Sequence, residues 1–166
     1  TLETHEALAR MAMGSGEWSG AVAAAEAARR SFPDSWESAN LLTTIYYHAR
    51  DIARLEASLH AQLELDPSNV LTLEKLAVYY RECARHSEAR TAIDRAIRLD
   101  AGNARLRYQS AMIHFAMGGF AAAEADFRTA LLLEEVHLDS LNGLGLLLAE
   151  MSRPDEARAT LLRVVE

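Results

Sequence analysis

Between Val70 and Asn103, Leu73, Leu76, Ala77 and Tyr80 recur at steps of three and four residues, which predicts an amphipathic helix. Ala89, Ile93, Ala96 and Ile97 keep the same rhythm and predict a second one. The polar stretch Ala84-Arg85-His86-Ser87 between them reads as a short turn. The stretch Leu99-Asp100-Ala101-Gly102-Asn103 is rich in turn and capping residues and ends the second helix. The predicted unit is a helix, a tight turn, a helix and a short link.

That unit repeats. Ala21, Leu55, Ala89, Ala123 and Ala157 lie 34 residues apart. Ala25, Leu59, Ile93, Phe127 and Leu161 form a second track at the same offset, and Ala28, Gln62, Ala96, Ala130 and Val164 a third. A period of this size marks stacked supersecondary units rather than one folded-up globule. Five units follow, over residues 2–35, 36–69, 70–103, 104–137 and 138–166, and no linker separates them, so the chain reads as a single repeat domain. The links Phe32-Pro33-Asp34-Ser35, Asp66-Pro67-Ser68-Asn69 and Asp100-Ala101-Gly102-Asn103 combine residues that stop one helix with residues that cap the next. Gly14-Ser15-Gly16-Glu17 and Met117-Gly118-Gly119 supply left-handed backbone at the turn inside a unit. The small residues of the first track let two helices cross closely, where a bulky side chain would overpack. Leu55 and Gln62 break that rule and predict that the second hairpin is splayed or its neighbours shifted.

These residues resemble the tetratricopeptide repeat family, whose period and loose pattern of aromatic, Leu, Gly or Ala, Tyr, then Ala, aromatic, Ala and Pro they follow. The match runs through Leu42 and Tyr46, Leu76-Ala77 with Tyr80, and Leu144-Gly145. It continues through Gly16-Glu17-Trp18 with Ala21, through Gly118-Gly119-Phe120 with Ala123, Phe127 and Ala130, and through Pro33 and Pro67. Thr43, His114 and Pro154 depart from the pattern. The resemblance covers essentially the whole chain and implies an all-α, right-handed superhelical solenoid. Its concave groove is lined by the first helix of each hairpin, and extended or helical peptides dock there. On these helices the groove residues are Asn40, Thr44, Tyr47 and His48 in the second unit, and Leu71, Glu74, Val78, Arg81 and Glu82 in the third. They are Arg105, Tyr108, Met112 and Phe115 in the fourth unit, and Asp139, Asn142 and Leu146 in the fifth. Val78, Tyr108, Met112 and Phe115 make an apolar strip, and aromatic, Met and Arg residues are enriched at interfaces. The subclass of the family that grips acidic chaperone tails does so with a Lys-Asn-Arg clamp, which Glu6, Arg10, Asn40, Thr44, Glu74 and Val78 do not reproduce.

Composition narrows the partner. The net charge of -7 argues against a phosphate-backbone binder. The arginines Arg90, Arg95, Arg98, Arg128, Arg158 and Arg163 interleave with Glu88, Asp94, Glu124, Asp126 and Glu156, which reads as a solvated, salt-bridge-laced outer face. Lys75 is the single lysine among the 17 basic residues, a bias expected of a GC-rich bacterial genome. No apolar run is long enough to span a membrane and no leader pattern opens the chain, so the compartment stays open between cytoplasm and periplasm. The array starts at Thr1 and stops at Glu166 without polar end caps, which predicts a segment of a longer protein and leaves Leu161, Val164 and Val165 as a face for self-association.

Candidate chemistry is sparse. None of His5, His48, His60, His86, His114 and His137 pairs with another at zinc spacing, and Cys83 with His86 lacks further ligands. Cys83 ends an amphipathic helix, where a buried inert thiol is expected. Gly14-x-Gly16 reads as a helix-ending turn and Gly143-x-Gly145 as close packing, not as a dinucleotide fingerprint. The expectation is a non-catalytic scaffold without metal or cofactor that binds a peptide or protein segment in its groove. The alternatives are the recognition arm of a larger bacterial protein (a glycosyl- or sulfotransferase, or an exopolysaccharide-export or secretion component) and a self-assembly module.

Overall fold

A computed structural model describes residues 1–164 of the chain. Among these residues there are ten helices and no strand: α1 (Leu2–Gly14), α2 (Trp18–Ser31), α3 (Trp36–His48), α4 (Ile52–Leu65), α5 (Val70–Glu82), α6 (His86–Leu99), α7 (Ala104–Ala116), α8 (Phe120–Leu133), α9 (Leu138–Glu150) and α10 (Pro154–Leu162). The expected all-α repeat of helix, turn and helix is present five times. The turn inside the third unit is shorter than its polar stretch suggests, because α6 already begins at His86.

The punctuation keeps the same 34-residue beat as the core. Thr1, Ser35, Asn69, Asn103 and His137 each accept a backbone N–H three residues on through a side-chain atom, which satisfies an orphan donor of the following helix. Inside each unit the turn is a Schellman closure, with one residue in the left-handed region. That residue is Gly16, Arg50, Ala84, Gly118 or Ser152. The next N–H reaches back five residues in every case, for example Glu17 to the Ala12 carbonyl at 2.8 Å and Arg85 to that of Tyr80 at 2.8 Å. The first and fourth turns use the glycines expected from sequence; the other three place a side chain at φ 57, 58 and 59. Such backbone costs about 1–2 kcal/mol for a residue with a Cβ, and glycine's greater unfolded freedom returns part of that. Ala84→Gly is therefore expected to raise stability by about 0.5–1 kcal/mol, read from the urea midpoint at unchanged slope.

The chain divides into two compact units, Thr1–Thr72 and Leu73–Glu166. In the first, α1 packs on α2, α2 on α3, α3 on α4, and α1 also on α3. Ala9, Ala21, Ala25 and Ile45 make a buried cluster there. The exceptions Leu55 and Gln62 are buried in this unit too. What the structure puts at Gln62 is a hydrogen-bond network. Gln62 Nε2 donates to Thr43 Oγ1 at 2.8 Å, and Thr72 Oγ1 donates to Gln62 Oε1 at 2.8 Å. Thr43 gives its own proton to the Ala39 carbonyl at 2.9 Å, so the Ser58 hydroxyl donates to Thr43. Two departures from the small-residue pattern, Thr43 on α3 and Gln62 on α4, thus satisfy each other inside the core.

In the second unit α6 packs on α7, α7 on α8 and α9, α8 on α9, and α9 on α10. Its main cluster is Ala111, Ala123, Phe127, Leu144, Leu147, Leu148 and Ala157. Gly143 and Gly145 are packing glycines, as expected. A Cβ on Gly143 would lie 2.5 Å from Phe127 Cε1, and one on Gly145 would lie 2.6 Å from Leu161 Cδ2. No helix among the described residues is long and apolar enough to cross a membrane.

Candidate functional site

On α5 the apolar positions Leu73, Leu76, Ala77 and Tyr80 are buried, which fixes the direction of the stripe Glu74, Val78 and Arg81. The same geometry places Arg105, Tyr108, Met112 and Phe115 on one stripe of α7, and Asp139, Asn142 and Leu146 on one stripe of α9. All of these belong to the second unit.

The stripes are not uniform. Glu74 is only 5% exposed. Arg105 Nε lies 2.6 Å from Glu74 Oε1, with the N–H off the line to that oxygen, while most of the Arg105 side chain stays in solvent. The buried carboxylate is therefore held by a charge that comes from the next first helix. Tyr108, Met112 and Phe115 are half-buried and pack against the main cluster. The Tyr108 ring lies 6.1 Å from Phe127 and 5.7 Å from His137, and Phe115 lies 5.7 Å from Phe120. Burial, and secondarily the Asp139 carboxylate, push the Tyr108 phenol above its ordinary value, while Arg81 acts in the opposite direction. Tyr108 thus sits in the fields of a cation on α5 and an anion on α9. Arg81 Nε is buried without a hydrogen-bond partner, and no carboxylate among the described residues pairs with the Arg81 guanidinium. Asn142 and Leu146 are exposed, Leu146 at 67%. The strip read as apolar anchors is in this way a half-buried floor of Val78, Tyr108, Met112 and Phe115, with Leu146 as the freely offered apolar side chain on α9.

Asn40, Thr44, Tyr47 and His48 lie on α3 in the first unit. Asn40 and Thr44 are half-buried, with the Thr44 hydroxyl donating to the Asn40 carbonyl at 2.8 Å. Tyr47 and His48 are exposed and meet edge to face at 5.4 Å.

The model of the Tetratricopeptide repeat family matches residues 6–69 and 108–166, well over half of the sequence. The chain belongs to the tetratricopeptide repeat family. Solved structures of tetratricopeptide-like fold superpose along nearly its whole length. A crystal structure of MamA shares 18% identity over 95% of this chain and 92% of its own, at a TM-score of 0.81. Residues 41-end of MamA from Desulfovibrio magneticus RS-1 share 12% over 99% and 93%, at 0.84. TTC0263, a thermophilic tetratricopeptide repeat protein in Thermus thermophilus, shares 19% over 99% and 90%, at 0.76. At these identities the likeness shows the fold, an all-α solenoid of helix-turn-helix repeats. No curated protein sequence matches the chain.

Within this tetratricopeptide unit several residues have roles that their sequence positions did not announce. His137 caps α9, with Nδ1 accepting from Ser140 N at 3.2 Å, and lies against Tyr108. Its place on the cap track is the signal that could have found it. Gln109 Oε1 is buried without a partner, and nothing in the sequence marks it. Asp126, expected on the solvated outer face, instead ties α8 to α7: Ser110 Oγ donates to it at 2.6 Å, Arg107 Nη1 lies 3.4 Å away and His114 Nε2 3.7 Å away. Serine, histidine and aspartate meet here, yet the carboxylate stands between the other two and accepts the serine's hydrogen bond. The imidazole rests on the carboxylate and not on the hydroxyl, so the group lacks the Ser-His-Asp order of a nucleophilic relay. Glu124, also expected outside, is nearly buried, and Arg153 holds it with two hydrogen bonds at 3.0 and 2.8 Å. Cys83 is exposed just beyond α5 rather than buried, because the helix ends one residue earlier and the thiol falls on the turn. Of the end face read from sequence, Leu161 is 38% exposed and Val164 is half-buried; Val165 lies outside the described residues.

Proposed function

We propose that this tetratricopeptide chain is a non-catalytic interaction scaffold that takes a peptide or protein segment on the first-helix face of α5, α7 and α9. One observation carries the reading. Leu146, at 67% exposure, and Asn142 stand on α9, which packs against α7, where Tyr108, Met112 and Phe115 are only half covered. An exposed leucine beside partly covered aromatic and methionine side chains offers apolar area that a partner would remove from water. The net charge of -7 supports a protein rather than a nucleic acid as that partner. The first-helix face of α3, with Asn40, Thr44, Tyr47 and His48, is proposed as a further contact region.

The test uses exposed positions, so that the fold survives. Leu146→Glu is expected to lose the partners that the unaltered chain retains from its source organism, by about tenfold or more in recovery, while Arg98→Glu on α6 keeps them. Equal recovery with Leu146→Glu and with the unaltered chain would remove the reading. A second reading, self-association, is favoured by Leu161, which is 38% exposed although the equivalent Phe127 is buried, and by Leu162 beside it at 52%. Sedimentation showing a monomer at high concentration would dismiss it.

A further inference from the structure

The arginines of this face differ in a way that bears on what it binds. Arg105 is compensated, since its Nε sits 2.6 Å from the buried Glu74 carboxylate. Arg81 is not. It is half-buried, its Nε is cut off from solvent without a hydrogen bond, and no carboxylate among the described residues pairs with it. An arginine on an exposed helix face is hydrated at every donor; this one has lost water at Nε and has no counter-charge among the described residues, so a carboxylate reaching its terminal N–H groups would neutralise a charge the chain leaves uncompensated. Guanidinium and carboxylate match in geometry as well as charge. The surroundings limit how much negative charge can follow. Asp139 acts on the same Tyr108 phenol as Arg81, with the opposite sign, and a second carboxylate brought close to it would meet like charge. On the neighbouring stripe of α7, Tyr108, Met112 and Phe115 are partly covered apolar side chains packed on the core.

We propose that the segment docking on this face carries one carboxylate side chain that pairs with Arg81, flanked by apolar side chains that cover Met112, Phe115 and Leu146, and that a polyacidic tail is disfavoured. The inference rests on the docking reading above and adds the chemistry of the docked segment. A chain of net charge -7 would otherwise be expected to prefer basic segments, so the inference runs against the bulk charge.

The experiment selects binders to the full chain from N-acetylated, C-amidated random dodecapeptides and measures the selected peptides by fluorescence anisotropy. The expected binders carry a single Glu or Asp beside Leu, Ile or Phe. Replacing that Glu by Gln in the peptide is expected to weaken binding by about tenfold, and Arg81→Gln to weaken the Glu peptide by a similar factor while changing the Gln peptide by less than about twofold. The peptide-side change needs no protein variant, so it decides the matter even if Arg81→Gln fails to fold. Enrichment of Lys or Arg, enrichment of several acidic residues per peptide, or equal loss for the Glu and Gln peptides on Arg81→Gln would overturn the inference. Peptides that lose affinity on Leu146→Glu but are indifferent to Arg81 would leave the docking face standing and sink this inference alone. Failure to select any peptide, or binders indifferent to Leu146→Glu, would sink both.

Discussion

Phe127→Ala is expected to lower the unfolding free energy by about 3–5 kcal/mol, the largest effect of any single truncation in the second unit. Phe127 is the largest of the fully buried side chains, and its ring touches elements on both sides of α8. It faces Tyr108 of α7 at 6.1 Å and stands where Gly143 of α9 has given up its Cβ to admit it. One side chain therefore joins the fourth hairpin to the fifth. In a repeat array each hairpin is stabilised mainly by its neighbours, so the loss should not be spread evenly. Amide hydrogen exchange should show α9 and α10 opening before α7 and α8 in the variant, and the urea midpoint should fall. A uniform loss of protection along the unit would indicate that Phe127 does not hold this particular joint.

Gly143→Val is expected to cost about 3 kcal/mol at the same joint, for the opposite reason. The first added carbon would lie 2.5 and 2.6 Å from Phe127 Cε1 and Cζ, and a buried aromatic ring cannot swing aside within a packed core. Gly145→Ala makes the instructive contrast. Its Cβ would meet the Leu161 side chain at 2.6 Å, but Leu161 is 38% exposed and can rotate away, and alanine favours the helix by about 1 kcal/mol. That variant should be near neutral. Combining Gly143→Val with Phe127→Ala should recover about 1–2 kcal/mol relative to the sum of the two, because the valine enters space the ring has left. Thermal or urea unfolding of the four proteins gives the coupling directly, and a strictly additive pair would contradict the contact.

The parts of this fold that were legible in sequence are those where one residue type suffices. A methyl side chain is the common solution where two helices cross, so Ala21, Ala89, Ala123 and Ala157 announce the hairpins by themselves, and they are buried as the spacing requires. Gly16 and Gly118 announce their turns in the same way. Arg50, Ala84 and Ser152 do not, because the left-handed backbone there is imposed by the helices on either side rather than preferred by the residue. Thr43 and Gln62 looked like separate exceptions because each makes sense only beside a partner from another helix. The candidate face was legible as a stripe and not as an environment. Glu74, Val78 and Arg81 share one side of α5 by spacing, yet Glu74 is buried against Arg105 while Arg81 stays unpaired, and the neighbouring helix decides between those outcomes. Interleaving with arginines points Asp126 outward, whereas Ser110 and Arg107 of α7 draw it inward.

The most direct test of the docking claim is a photocrosslink. With p-benzoylphenylalanine placed at Asn142 on the first-helix face, or at Arg98 on α6 as the control, the chain is irradiated with its selected peptide bound. The account predicts a crosslinked product from position 142 at several times the yield of position 98. Equal yields, or a product from position 98 alone, would contradict it.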